Sequence, residues 1–293
     1  MRTREIVSLG IGRDYVRCAV ACLKSCRNQI SDDVSFRLYY GNADPSVFEI
    51  PDWLELECID NLIFQKLTRQ DLSMRPTFAR EFKHVPLTHP ASRESDVLFL
   101  DADVYAFGNP FDDFFKKIED GSAILFAKDK KAFPIYRNLR HEFDLNLVEE
   151  GNRLGYTLSN LSPNTGVMGR AADEYGWAFA DRAAELMAKR ILTPFPDTDY
   201  FNDEPYFSVA FQLEVSGKGR GFIDISTKDY IHTHKKGVLK NQDSDAPSVY
   251  WGQQDVLHEK PKLIHFIGFR QFPCYLSRVE RDVPFVSSGE RYS

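Results

Sequence analysis

Residues 95–115 read SDVLFLDADVYAFGNPFDDFF. Val97 to Leu100 form an unbroken apolar run, and Asp101 and Asp103 follow with only Ala102 between them. A short continuous apolar run is the pattern of a strand buried on both faces, as in a parallel sheet. In an extended chain residues i and i+2 face the same way. The two carboxylates therefore share one side of the strand's end and repel each other unless a cation lies between them. In open α/β sheets ligands gather beyond the carboxyl ends of the strands. An acidic pair at that edge suits a hard divalent cation, Mg²⁺ or Mn²⁺, which takes oxygen ligands and bridges to phosphates. Asp197/Asp199 and Asp243/Asp245 repeat the spacing without a preceding apolar strand, and they read as solvated turns.

Working outward, EIVSLGI (5–11) meets Gly10 and Gly12 and leads into a helical pattern over 14–28, with Asp14 as the expected N-cap. VSFRLYYG (34–41) and LELECI (54–59) read as strands. RPTFAREFKHVPL (75–87) reads as a helix opened by Pro76. Beyond the acidic pair, strands are expected at 122–128, 164–170, 222–226 and 262–268, and helices over 133–150, 172–191 and 203–213. The polar stretch 233–248 reads as a loop or flap. Strands alternating with helices predict a layered α/β fold with a mostly parallel, Rossmann-like central sheet.

The chain has 293 residues, 43% hydrophobic and 27% charged. That is enough for a sizeable core. A net charge of −6 and a pI near 5.7 argue against a nucleic-acid partner, which calls for a basic footprint. The five cysteines hold no CxxC pair, and Cys18, Cys22 and Cys26 recur every four residues. They read as reduced thiols on the core face of a helix, which fits a reducing compartment. MRTREIVSLG carries no apolar signal region, and no run reaches membrane-span length. The expectation is a soluble, cytoplasmic protein, with peripheral membrane contact left open.

Five segments taken together resemble the GT-A fold nucleotide-sugar glycosyltransferases, most closely the retaining branch with glycogenin and the lipopolysaccharide galactosyl- and glucosyltransferases (glycosyltransferase family 8). They are IVSLGIGRDYVRCAVACLKSC, RPTFAREFKHVPL, DVLFLDADVYAFGNPFDDFF, NTGVM and HFIG, in the family's chain order, with FNDEPYF a looser sixth. The resemblance covers about residues 5 to 270. It implies one GT-A domain over 1–293: a nucleotide-binding half over about 5–130, a smaller donor-sugar and acceptor side over about 131–270, and a C-terminal tail over 271–293.

The resemblance also implies roles. Asp101, Asp103 and His265 would hold Mn²⁺ or Mg²⁺. Leu9, Gly10, Gly12, Tyr15, Arg80, Lys83, Ala102, Asn164, Thr165, Gly268 and Arg270 would contact a UDP-hexose donor, Tyr15 by stacking on the base. Asp203 and Glu204 would face the reacting sugar. Each also has an ordinary reading: a core histidine for His265, a packed ring for Tyr15, turns for Gly10, Gly12, Asn164 and Thr165, an exposed helix charge for Arg80, and acidic residues in a helix first turn for Asp203 and Glu204. The family Lys six residues after the metal-binding His is Gln271 here, with Arg270 one residue earlier, and Glu204 stands where Gln is common. His232 and His234 read as solvated loop histidines, with a second metal site as the alternative, and Tyr250 and Trp251 as loop anchors or an acceptor-stacking pair.

The implied activity is metal-dependent transfer of a hexose, glucose or galactose, from a nucleotide diphosphate to a glycan or other hydroxyl acceptor with retention. Two alternatives stay open: a sugar-phosphate nucleotidyltransferase, for which the GIGRDY loop is short, and a non-catalytic scaffold that binds sugar nucleotides.

Overall fold

The computed structural model describes residues 2–30, 33–63, 78–127, 163–191, 203–224, 229–233, 238–240, 248–251, 256–258, 260–268, 270 and 272–286. The helix expected at 133–150 and the pairs Asp197/Asp199 and Asp243/Asp245 lie outside them. The elements in chain order are β1 (Thr3–Ile11), α1 (Arg13–Arg27), β2 (Val34–Gly41), β3 (Leu54–Cys58), α2 (Val85–Thr88), β4 (Ser95–Asp101), β5 (Val104–Ala106), α3 (Phe111–Gly121), β6 (Ala123–Ala127) and β7 (Pro163–Arg170). Then follow α4 (Glu174–Ile191), α5 (Glu204–Glu214), β8 (Phe222–Asp224), β9 (Tyr230–Thr233), β10 (Val238–Lys240), β11 (Ser248–Trp251), β12 (Val256–His258), β13 (Leu263–Phe266) and α6 (Pro273–Asp282). The central sheet has seven strands in the order β3-β2-β1-β4-β7-β6-β8 and is mostly parallel. Strand β7 is the exception, antiparallel to both β4 and β6. Among the described residues, no helix is long and apolar enough to cross a membrane.

The chain divides into two compact units that interleave along the sequence. The first comprises Met1–Ile6, Leu62–Leu100 and Phe111–Ser226; the second comprises Val7–Asn61, Asp101–Pro110 and Thr227–Ser293. In the first unit, Val97 to Leu100 are fully buried, as expected for a strand covered on both faces. Helix α3 buries Phe111, Phe114, Phe115 and Ile118, one helical stripe. Each such ring stabilises the fold by about 1.5–3 kcal/mol relative to exposure. Arg170 ends β7 with no solvent exposure. Its guanidinium donates to the carbonyls of Leu87 (2.7 Å), Ser92 (2.7 Å) and Ser95 (2.8 Å) and lies 4.0 Å from the Trp177 ring centroid. A buried cation needs such partners, and these carbonyls belong to the segment that leads into β4.

That segment departs from the single helix expected over 75–87. Phe78–Phe82 is a 3₁₀ turn and α2 begins only at Val85. Pro86 lies in the first turn of α2; a proline has no N–H to bond back and its ring crowds the preceding turn, so one helix cannot run through it.

In the second unit, α1 buries Val16 and the run from Cys18 to Leu23, together with Cys26. All five cysteines are free thiols. Gly12, not Asp14, occupies the N-cap of α1, and Asp14 sits in the first turn. Gly12 has φ +85°, which swings the chain from strand to helix and costs a glycine little. The Asp14 carboxylate still favours the positive end of the helix dipole. Strand β13 lies parallel to β9 and antiparallel to β5. The stretch 233–248, expected as loop, contributes β10 and the start of β11 to a three-stranded antiparallel sheet with β12. Pairing between strands, invisible in its polar composition, decides this. Helix α6 lies within the expected C-terminal tail.

Gly10 is fixed by close approach. A Cβ there would come within 2.7 Å of Val16 Cα and 2.8 Å of Val16 N. Both are backbone atoms that cannot rotate away. Gly10→Ala is therefore expected to destabilise the protein by about 1–3 kcal/mol, the usual range for overpacking. A urea unfolding midpoint equal to that of the unsubstituted protein would contradict the close approach.

Candidate metal centre

Asp101 is the last residue of β4, and Asp103 lies one residue before β5. The chain turns between them, so the shared side of an extended strand gives way to a tight turn that brings the carboxylates together. Register supplies the third group: His265 on β13 lies opposite Val104 of β5. His265 Nε2 is 2.9 Å from Asp103 Oδ1 and 3.6 Å from Asp101 Oδ2. One ligand atom from each residue lies within 4.8 Å of the others, the one such group of three among the described residues. The histidine is buried and the carboxylates are partly open to solvent.

The surroundings hold this arrangement in place. The Tyr230 hydroxyl is 2.9 Å from His265 Nδ1. With the proton on Nδ1 donated to Tyr230, the Nε2 lone pair faces the carboxylates, which is the form a metal-binding histidine takes. The Phe266 N–H donates to the Asp103 carbonyl at 2.8 Å, and the Tyr275 hydroxyl donates to the Ala102 carbonyl at 3.0 Å. Tyr230 and Tyr275 escaped the sequence reading; no local motif marks them, because only strand register and helix docking bring them here.

The donor set fits a divalent cation. Two carboxylate oxygens and one imidazole nitrogen suit Mn²⁺ or Mg²⁺, and three protein ligands leave positions for phosphate or water. The nearby thiols do not compete. Burial pushes Cys18 up to about 12 and Cys22 well above its ordinary value, and a protonated thiol is a poor ligand.

Of the other residues placed at the donor by resemblance, Leu9 is buried on β1, Gly10 packs against the backbone of α1, and Ala102 is buried in the turn. Tyr15 is 40% exposed in the first turn of α1. Gly268 has φ +72°. Arg270 is exposed and pairs with Asp14 at 2.8 Å. Gln271 and His234 lie outside the described residues, as do the side chains of His232, Tyr250 and Trp251.

The first unit holds a second polar cluster. Lys83 Nζ is 3.1 Å from Asp203 Oδ2 and donates to Thr165 Oγ1 at 3.3 Å, and Thr165 donates in turn to Asp203. All three are buried. A bulge in β7 turns Thr165 toward them: Phe126 of β6 pairs with Asn164, while the adjacent Leu125 pairs with Met168. Bulges of this kind re-aim side chains, and Gly166 inside the strand pattern is their sequence signal. Asn164 Oδ1 accepts from the Gly166 N–H at 2.9 Å. Asp203 precedes α5 and makes no side-chain cap; its carboxylate serves Lys83 and Thr165 instead. Burial pushes this carboxyl up, but the Lys83 and Arg80 charges and the Thr165 hydroxyl outweigh burial and hold it below its ordinary value. Arg80 lies on the 3₁₀ turn, and Glu204 is half-buried in the first turn of α5.

This balance has a measurable pH dependence. A carboxyl lowered in the folded state stabilises the protein above its unfolded value of about 3.9, and that stabilisation fades as pH falls through the folded value. Lys83→Met removes one partner of a buried pair, which costs about 3–5 kcal/mol. The deficit is expected at pH 7 and should shrink toward pH 3 in thermal melts. A deficit independent of pH would contradict the pairing.

No family model and no curated protein matches the sequence. Solved structures do match its architecture. An active-site mutant of LgtC aligns with a TM-score of 0.55 at 10% identity, covering 97% of this chain and 98% of that one. Galactosyltransferase LgtC in complex with donor and acceptor sugar analogues gives 0.53 at 9% identity over the same shares. The apo bifunctional glycosyltransferase WbbM gives 0.57 at 11% identity, over 95% of this chain and 50% of that one. At these identities the likeness speaks of fold alone: the chain has the GT-A glycosyltransferase fold.

Proposed function

We propose that this protein is a metal-dependent glycosyltransferase that moves a hexose from a nucleotide diphosphate, of the UDP-glucose or UDP-galactose type, to a glycan or other hydroxyl acceptor with retention. The convergence of Asp101, Asp103 and His265 at the carboxyl end of β4 carries this reading. Asp101 and Asp103 would each give a carboxylate oxygen to the ion and His265 its Nε2. The bound cation supplies positive charge to the diphosphate as the glycosidic bond breaks.

The other roles are those the resemblance implies, and charge and exposure support them for Arg270 and Tyr15. Arg270 supplies the cation that the family's lysine would place one residue later, and its exposed guanidinium, paired with Asp14, would exchange that carboxylate for a phosphate. Tyr15 offers an exposed ring to the base. Arg80, Asn164 and Thr165 serve the donor sugar and its phosphate. Asp203 is ionised at neutral pH, so it favours the positive charge that develops on the sugar ring rather than donating a proton. Lys83 and Thr165 keep it in that state. Glu204 acts beside it. A front-face departure and attack needs no covalent nucleophile, and none is assigned. The carbohydrate or other hydroxyl acceptor is the second partner.

Calorimetric titration of UDP with and without Mn²⁺ tests the reading. Mn²⁺ is expected to tighten UDP binding about tenfold or more, equivalent to about 1.4 kcal/mol, and to do nothing for Asp101→Ala/Asp103→Ala. UDP affinity indifferent to both ion and substitution would sink the metal bridge. Slow Mn²⁺-dependent hydrolysis of UDP-glucose or UDP-galactose is the expected catalytic trace. Its absence across a donor panel would leave a binding scaffold.

A further inference from the structure

Building on the metal reading above, we propose that Tyr275 is a positioning residue for the metal centre: its hydroxyl fixes the turn that carries both aspartates, so the docking of α6 sets the affinity for the divalent cation. Ala102 stands between the two ligands, and its carbonyl lies outside β4 and β5. Rotation of that peptide plane would carry both carboxylates with it. The Tyr275 hydroxyl holds it at 3.0 Å. The next carbonyl, that of Asp103, is held by the Phe266 N–H at 2.8 Å. The turn that presents the aspartates is therefore tied at two successive carbonyls.

Tyr275 is itself immobilised. It has no solvent exposure, stacks on Phe266 at 4.7 Å between centroids, and meets the Tyr105 ring edge-on at 6.4 Å. Burial raises its hydroxyl well above the ordinary value, so it remains a donor at physiological pH. The far end of α6 is tied to α1 and β5. Arg17 Nε donates to the Val283 carbonyl at 2.8 Å, Lys24 Nζ donates to the Asp282 carbonyl, and the Tyr105 hydroxyl donates to Asp282 Oδ2 at 2.5 Å. Partners that orient ligands from outside the coordination sphere matter: losing one costs about 10–100-fold in metal affinity.

The test uses the full chain and Mn²⁺ alone, with binding read by electron paramagnetic resonance. Tyr275→Phe keeps the ring and removes the hydroxyl, and is expected to weaken Mn²⁺ about tenfold. Leu38→Ala, a buried β2 position outside both α6 and the turn, is the control for mere destabilisation; it should lower the melting temperature and leave Mn²⁺ affinity unchanged. If Tyr275→Phe binds Mn²⁺ like the unsubstituted protein, or Leu38→Ala weakens it equally, the positioning role is overturned. If the unsubstituted protein fails to bind Mn²⁺, the metal reading falls with it. A measurement on the unsubstituted protein covers the case of a variant that does not fold. By reciprocity, Mn²⁺ must slow hydrogen exchange of the α6 amides from Tyr275 to Val279, and unchanged exchange overturns the proposal.

Discussion

Two carboxylates and an imidazole, held with their ligand atoms inside 4.8 Å, are the constraint on which the second unit depends. Two like charges about 4 Å apart repel by about 4 kcal/mol at an effective dielectric of 20. A free chain would let them separate. Here the backbone does not permit it. Asp101 is anchored by β4, Asp103 by the bond from Phe266, and His265 by its place between β5 and β9. The fold bears the repulsion in advance, as preorganisation requires of a site that could hold an ion: an arriving cation would find its ligands assembled and would not have to gather them.

The first unit solves a related problem with covalently fixed charges. Asp203 and Lys83 are buried together, and a hydroxyl, Thr165, spans them. Arg170 is buried deeper and is satisfied by backbone carbonyls and the Trp177 ring. In each case the cost of removing a charge from water is offset by partners already in place. Both devices sit at ends of β7, the strand that runs against its neighbours. Its bulge is what frees Thr165 from the ladder to meet the carboxylate.

Much of this was legible in the sequence because local pattern and tertiary outcome agree. The apolar run ending in Asp101 is the central strand, and the i/i+4 cysteines are the core face of α1. Where they disagree, the cause is specific. Pro86 breaks a pattern that otherwise reads as one helix. Gly12 takes the cap that Asp14 is chemically fit for, because the backbone there must turn with a positive φ. Strand β10 and the start of β11 are strands because of their partners, and the composition of 233–248 alone reads as a wet loop.

The sequence by itself determined which residues bring the chemistry: an acidic pair after a buried strand, a histidine inside a late strand, and an α/β alternation that sets such a pair at a sheet's edge. Residue types and short-range periodicity are local properties, so one chain suffices to read them. Only the tertiary structure decided that His265, more than 160 residues downstream, lies 2.9 Å from Asp103, and that Tyr230 and Tyr275 steady the histidine and the turn. Those contacts depend on strand register and helix docking, which are set by the burial of the whole core and leave no mark on the residues they join.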